Sequence, residues 1–182
     1  MAPSCASADP APRDCDCFGS YPPVTTISSE ASYPAIADYG LIGDCHTIAL
    51  VSRQGSIDWY CPDRFDAPAV FCRLLDAAKG GFLNVAPPGR VAAQRTYRGH
   101  SNVLDTTFDS AHGPIRVTDF MPVLAERQAN AVSRVVRGIE ALAAEAEVDV
   151  VFKPTFDYAR ARAEISPLSA GGAVAAADGQ VL

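Results

Sequence analysis

The chain has 182 residues, of which 48% are hydrophobic and 20% charged, and these proportions are typical of a globular domain with one core. Its 21 acidic and 15 basic side chains give a net charge of -6, which argues against a nucleic-acid partner and against adhesion to anionic membranes. No apolar run is long enough to span a bilayer, and the first residues lack the basic and apolar regions of a secretory signal. The sequence therefore predicts a cytoplasmic protein.

Residues 1–32 differ in composition from the rest of the chain. They are rich in Pro, Ala, Ser and Asp and have almost no aliphatic pattern, so we expect a disordered leader. The Cys-Asp-Cys run within it is too closely spaced for a zinc site, and the sequence predicts neither a metal nor a cofactor. Cys45, Cys61 and Cys72 follow the leader, and we expect them to be reduced thiols in the core.

From Tyr33 onward, short segments of alternating hydrophobicity are separated by Gly, Pro, Asp and Asn, a pattern that predicts β-strands. The predicted strand pairs are 46–52 with 56–61, 81–86 with 90–98, 102–109 with 114–123, and 132–142 with 146–154. Residues 68–76 lie between the first two pairs. They begin with Pro68 and are followed by a Gly-Gly pair, which predicts one short helix.

Repeated hairpins with one short helix predict an all-β fold, an antiparallel β-sandwich over residues 33–182. The last four residues form a turn followed by the beginning of a strand, so we expect the sandwich to be C-terminally incomplete.

Four motifs stand in a fixed order along this region. They are IADYGLIGDCHTIALVSRQGSIDWYCPDRFDAPAVF at 36–71, NVL at 102–104, RVTDFMP at 116–122 and FDY at 156–158. In order and spacing they resemble the N-terminal, trehalase-like domain of bacterial trehalases and glucoamylases of glycoside hydrolase family 15, from Tyr33 to about Arg162. One departure is Asp63 before Arg64, where relatives usually carry Pro.

The resemblance implies a β-sandwich of the super-sandwich type that packs on a catalytic (α/α)6 barrel, present in cis in relatives and absent from this chain. It also implies α-glucoside substrates such as trehalose or maltooligosaccharides, which two glutamates of that barrel hydrolyse with inversion. We therefore expect a non-catalytic accessory domain that supports the barrel.

The glutamates of this chain are the first candidates for a catalytic pair. An inverting glycosidase needs a general acid and a general base about 6.5–9.5 Å apart across the scissile bond. The six glutamates fall in the leader, on turns or on polar strand faces, and no pair is framed by aromatic or Gly-rich loops. They are Glu30, Glu126, Glu140, Glu145, Glu147 and Glu164. The sequence predicts no catalytic residue.

The densest polar group in the resembling region comprises Asp44, Asp58, Arg64 and Asp66. One interpretation is structural: Asp44 caps a turn, Asp58 faces outward, and Arg64 pairs with a nearby carboxylate. The other is functional: Arg64, Phe65 and Asp66 form a loop that faces the barrel and shapes the mouth of the substrate cleft. A charged loop with an exposed aromatic ring is unusual without a partner.

Trp59 also allows two interpretations. Its flat ring suits the C–H face of a sugar, which would make it a stacking platform. It shares a predicted strand face with Ile57 and Cys61, however, and this favours a position in the core.

Two other functions stay open at this point, a free-standing carbohydrate-binding β-sandwich module and an inactive truncated gene product. A bare apolar face would favour a missing barrel, whereas a polar surface with a strip of aromatic rings would favour the binding module.

Overall fold

The computed structural model describes residues 33–89, 91–123, 133–143 and 145–182. The predicted leader lies outside these ranges. Within them, no helix is long and apolar enough to cross a membrane. The elements are one 3₁₀ helix, η1 (Ile36–Asp38), and the strands β1 (Tyr39–Gly43), β2 (Ile48–Ser52), β3 (Ser56–Tyr60), β4 (Phe82–Ala86), β5 (Ala92–Tyr97), β6 (Leu104–Ser110), β7 (Gly113–Phe120), β8 (Val136–Ala141), β9 (Asp149–Lys153), β10 (Thr155–Phe156), β11 (Ala161–Arg162), β12 (Glu164–Pro167), β13 (Ala173–Ala177) and β14 (Gln180–Val181).

Two antiparallel sheets form the sandwich. One has the strand order β1-β2-β3-β4-β9 and the other β5-β6-β7-β8, and two small sheets, β10-β11 and β12-β13-β14, follow. Alternate side chains of β6 and β7, including Leu104, Phe108, Ile115 and Val117, are buried, as the alternating pattern predicts. The predicted all-β sandwich is confirmed.

Glycine lets the two sheets approach closely. A Cβ atom on Gly40 in β1 would lie 2.6 Å from Leu104 Cδ2 in β6. A Cβ on Gly55, in the β2–β3 turn with φ 82°, would lie 3.0 Å from Phe108 Cζ. A larger residue at Gly40 would force the Leu104 side chain to shift. At Gly55 its Cβ atom would collide with Val85 O in β4, and the residue would also strain the backbone.

Side chains of β5 bind the backbone of the opposite sheet. Arg95 Nη1 donates hydrogen bonds to the carbonyl oxygens of Asp38 (2.7 Å) and Val51 (3.0 Å). The Tyr97 hydroxyl donates to Leu41 O (2.8 Å) and accepts from Leu41 N (2.9 Å). These bonds cover the edge strand β1, which otherwise would present unpaired backbone groups to other chains.

A buried ion pair joins the sheets at the other side of the sandwich. Arg137 in β8 donates from Nε (2.6 Å) and Nη2 (3.0 Å) to the two carboxylate oxygens of Asp119 in β7. Its Nη1 donates to Leu83 O in β4 at 3.0 Å. The exposed fractions of the two side chains are 7% and 0%. Since a buried charge is costly unless it is paired, these contacts fix β8 over β4.

The short helix predicted at residues 68–76 is not formed. Val70 and Phe71 are buried, and their carbonyl oxygens accept hydrogen bonds from Thr155 N (3.0 Å) and Tyr60 N (2.9 Å), respectively. The segment is therefore paired with strands β3 and β10 and continues into turns. Local Pro and Gly signals predicted a helix, but long-range backbone pairing takes the groups that a helix would use.

Two predicted strand pairs are wrong as pairs, although all four strands form. β4 and β5 belong to different sheets, and so do β8 and β9. The chain crosses between the sheets after β4, where Pro87 and Pro88 have no N–H to continue a ladder, and again after β8. Alternation identifies a strand but not its neighbour, because hairpin turns and sheet-crossing connections have similar lengths.

We predict that Asp119→Asn lowers the free energy of unfolding by about 3–5 kcal/mol, because Arg137 would keep a buried charge without its carboxylate. Arg116→Ala is the matched control, since it removes an exposed ion pair with Glu140 from the same strand and should cost at most about 1 kcal/mol. Urea denaturation followed by circular dichroism measures both. Equal losses for the two variants would contradict the assignment.

Candidate functional site

The candidate site is the loop of residues 62–67, which follows β3 and carries three of the predicted residues. Arg64 donates to both carboxylate oxygens of Asp66, from Nε (2.9 Å) and from Nη2 (2.9 Å), and both side chains are solvent-exposed. Phe65 lies between them and is 69% exposed. The bidentate ion pair closes the loop and leaves the ring of Phe65 on the protein surface.

Hydrogen bonds hold this loop against the β1–β2 turn. Phe65 N donates to His46 O at 3.1 Å, and the Thr47 hydroxyl donates to Cys61 O just before the loop. Within the loop, Ala67 N donates to Arg64 O at 3.0 Å. The backbone of the 62–67 loop is therefore fixed to the strand framework at its start and its centre.

Asp44 shapes the β1–β2 turn from within. Its Oδ1 accepts from the backbone N–H groups of His46 (3.0 Å) and Thr47 (2.9 Å), and its Oδ2 accepts from the Ser133 hydroxyl (2.8 Å). The carboxylate is buried, so it positions the turn and is not a free surface charge. The β1–β2 turn supports Phe65 through the hydrogen bond from Phe65 N to His46 O.

Asp58, predicted to face outward, is buried, and that prediction is wrong. Its carboxylate accepts hydrogen bonds from the Tyr39 hydroxyl (2.7 Å) and from the Ser56 hydroxyl, and Arg73 Nη1 lies 3.9 Å away. Burial, together with the hydrogen bond to Asp58, raises the pKa of Tyr39. Both faces of β3 are covered, so alternation could not identify a solvent side.

Trp59 is half-buried at the base of the loop. It packs against the buried cluster of Cys61, Ala69 and Cys72, and its ring centroid lies 6.4 Å from that of Tyr158. This location matches the core interpretation better than that of an open sugar platform.

The cysteines only partly follow the expectation. Cys61 and Cys72 are buried, and burial raises the pKa of the Cys61 thiol. Cys45 is exposed in the β1–β2 turn with φ 70°, so the prediction that it lies in the core is wrong. The reason is local: the turn capped by Asp44 needs a left-handed residue at this position.

A groove of about 450 Å³ lies beside Phe65. Its polar groups are partly used by the protein itself: Asn102 Nδ2 donates to Gly43 O at 3.2 Å, and His46 Nδ1 lies 3.2 Å from Asp44 O. What faces the groove is therefore mainly apolar and suited to another apolar surface. The lining residues are Leu41, Gly43, Cys45, His46, Thr47, Ile48, Phe65 and Asn102.

The structure thus brings Arg64, Phe65, Asp66 and Asp44 together around the β1–β2 turn, with Trp59 below the loop. Sequence reasoning missed the groove, since its lining comes from β1, β2, the 62–67 loop and a residue near β6. The only available signal was the exposed aromatic ring beside a Gly-Asp turn.

The four glutamates among the described residues are exposed, and none lines the groove. Glu140 and Glu147 face Arg116 (3.1 Å) and His112 (4.0 Å). The other two glutamates lie outside the described ranges. In the part of the chain that the structure describes, no three His, Cys, Asp or Glu side chains group as metal ligands.

Comparison with known proteins places this fold and loop in a family. The family described as "Trehalase-like, N-terminal" matches residues 27–182. The chain belongs to this family. The resemblance to a trehalase-like N-terminal domain, drawn from the motifs, is therefore confirmed, and the chain is called the trehalase-like domain below.

The similar proteins are much longer trehalases. The trehalase-like domain is 38% identical over 130 residues to a trehalase of Thermoplasma volcanium, an alignment that covers 69% of the domain and 20% of the relative. It is 33% identical over 162 residues to a trehalase of Mycolicibacterium smegmatis, covering 80% and 24%. The chain thus spans about a fifth to a quarter of these relatives. No solved structure matches it significantly.

Removal of the Arg64 guanidinium should raise the pKa of Asp66. The hydrogen bond from Arg64 holds the pKa of the Asp66 carboxyl below its usual range, so the ion pair persists at neutral pH and is lost as the pH falls through that lowered value. We predict that Arg64→Ala raises the pKa of Asp66 toward about 3.9, the value of an unperturbed aspartate.

Asp76 provides the internal control for this titration. The backbone N–H groups of Lys79 and Ala78 lower its pKa, so Arg64→Ala should leave it unchanged. Carboxyl chemical shifts followed by NMR report both groups in one sample. An unchanged pKa for Asp66 would show that the ion pair does not form in solution.

Proposed function

We propose that the trehalase-like domain is a non-catalytic accessory domain of an α-glucoside hydrolase of trehalase or glucoamylase type, in glycoside hydrolase family 15. In this proposal it packs on a catalytic (α/α)6 barrel of the same polypeptide and stabilises it. The observation that carries the proposal is the family match over residues 27–182, together with alignments that cover only 20% and 24% of relatives that are named trehalases. The division at residue 33 belongs to the same proposal.

The 62–67 loop is the part of the domain that we propose to face the barrel. Phe65 presents a large apolar ring that the domain itself does not cover, and the adjacent groove is mainly apolar. An aromatic ring beside a concave apolar surface is typical of the centre of a protein interface. Arg64 and Asp66 hold the ring in place and would lie at the rim of the interface. Asp44 supports the loop through the β1–β2 turn, and Trp59 packs at the base of the loop.

The proposed substrates are α-glucosides such as trehalose or maltooligosaccharides, which would bind to the barrel. Two barrel glutamates would act as general acid and general base, and the 62–67 loop would shape the mouth of the cleft. The named trehalases among the relatives support trehalose. We retain a cytoplasmic location as a prediction of the sequence.

The alternative of a free-standing carbohydrate-binding module finds less support. Such a module needs aromatic rings in a row on one sheet face. The three tyrosines that the described residues expose most are instead bound to separate backbone groups: the hydroxyl of Tyr33 accepts from Ala77 N, that of Tyr97 donates to Leu41 O, and that of Tyr158 donates to Ala67 O. Most other large apolar side chains at the surface are aliphatic.

Hydrolysis assays test the proposal. We expect no hydrolysis of trehalose or maltose by the trehalase-like domain alone, and activity when it is mixed with the helical remainder of a trehalase relative. Hydrolysis by the domain alone would contradict the proposal. If mixing gives no activity but the domain itself binds glucosides, the binding module is favoured. If neither activity nor binding is observed, the inactive truncated gene product is favoured.

The loop variants locate the contact. Phe65→Ala should raise the domain concentration needed for half-maximal activity about tenfold, since loss of a central aromatic anchor costs roughly 1.4 kcal/mol or more. Arg64→Ala should raise it less. Arg116→Ala, which removes an exposed ion pair on the other sheet, is the control and should leave the value unchanged.

A further inference from the structure

The strand β9 is an uncovered edge of the five-stranded sheet. Among the described residues it pairs only with β4. Val150 and Val151, which point to opposite faces of the strand, are 61% and 45% exposed. The opposite edge of the same sheet, β1, is covered by side chains of Tyr97 and Asn102, and β9 has no comparable cover in the described ranges. It also has no proline that would interrupt a further ladder.

The sequence of β9, Asp-Val-Val-Phe-Lys, is complementary to itself when it runs antiparallel. In a register centred on Val151, Asp149 of one copy lies opposite Lys153 of the other, and the reverse pair forms by symmetry. Val150 then lies opposite Phe152, and Val151 opposite Val151 of the second copy. Pairs of unlike charge and pairs of apolar side chains, when they lie directly opposite each other, stabilise antiparallel strands.

We propose that β9 binds β9 of a second copy of this chain, which joins the two five-stranded sheets into one ten-stranded sheet across a two-fold axis at Val151. Such a contact is isologous, so the Asp149–Lys153 and Val150–Phe152 pairs are each made twice, and the Val151 pair is made once on the axis. Asp149 and Lys153 are exposed and available, because Lys153 Nζ donates only one of its three N–H groups, to Ala78 O at 3.0 Å. This surface is distinct from the 62–67 loop.

The edge strand β12 is less suited to this contact, because Pro167 removes a backbone donor. Ile165 on β12 is 49% exposed, close to the value for Val151, and therefore offers a matched control.

Sedimentation equilibrium of the whole 182-residue chain over micromolar to submillimolar concentrations tests the proposal. We expect a reversible monomer–dimer equilibrium. Val151→Lys places two like charges opposite each other at the axis and should lower the association constant at least about tenfold. Ile165→Lys should leave it unchanged. A chain that stays monomeric throughout, or an equal loss for both variants, would overturn the proposal.

Charge exchange tests the register. Asp149→Lys and Lys153→Asp, each alone, place like charges opposite one another and should weaken association, whereas the double variant restores both opposite pairs and should restore most of it. Losses that simply add in the double variant would overturn the proposed register. Thermal unfolding of each variant confirms that the chain compared is folded.

Discussion

The structure depends on a buried polar contact between its two sheets, the ion pair between Arg137 and Asp119 with the hydrogen bond from Arg137 to Leu83 O. The ion pair links two neighbouring strands of one sheet, and the third hydrogen bond from the same guanidinium reaches Leu83 O in the other sheet. An apolar core fixes sheets at a distance but tolerates sliding, whereas a buried charge is satisfied in one geometry only. Together with the hydrogen bonds of Arg95 and Tyr97 at the other side of the sandwich, this contact fixes the relative position of the sheets.

The candidate site is an outcome of that fixed framework. The β1–β2 turn is held by the buried carboxylate of Asp44, and the 62–67 loop is bound to this turn through His46 O. The loop therefore presents Phe65 at a defined place although its own ion pair is exposed and weak. An apolar ring presented at a fixed place on the surface suits a contact with another domain, as proposed above.

The sequence allowed the strands, the sandwich and the family to be predicted, because alternation and ordered motifs are local signals. It failed where distant residues decide. The segment around Val70 and Phe71 pairs with β3 and β10 and not with itself, and Asp58 is buried because both faces of β3 are covered. The groove was not predictable either, since Asn102 reaches Gly43 O from far along the chain. The function of the 62–67 loop lies beyond local pattern for the same reason.

Amide hydrogen exchange is the most direct test of the central claim, that the 62–67 loop faces a catalytic domain. The trehalase-like domain would be measured alone and with the remainder of the Mycolicibacterium smegmatis trehalase chain, without its matching segment. The account predicts slower exchange at residues 62–67 and in the β1–β2 turn when the partner is added, with β6 and β7, already buried, unchanged. Unchanged exchange in the loop, with protection only elsewhere on a demonstrably bound domain, would contradict it.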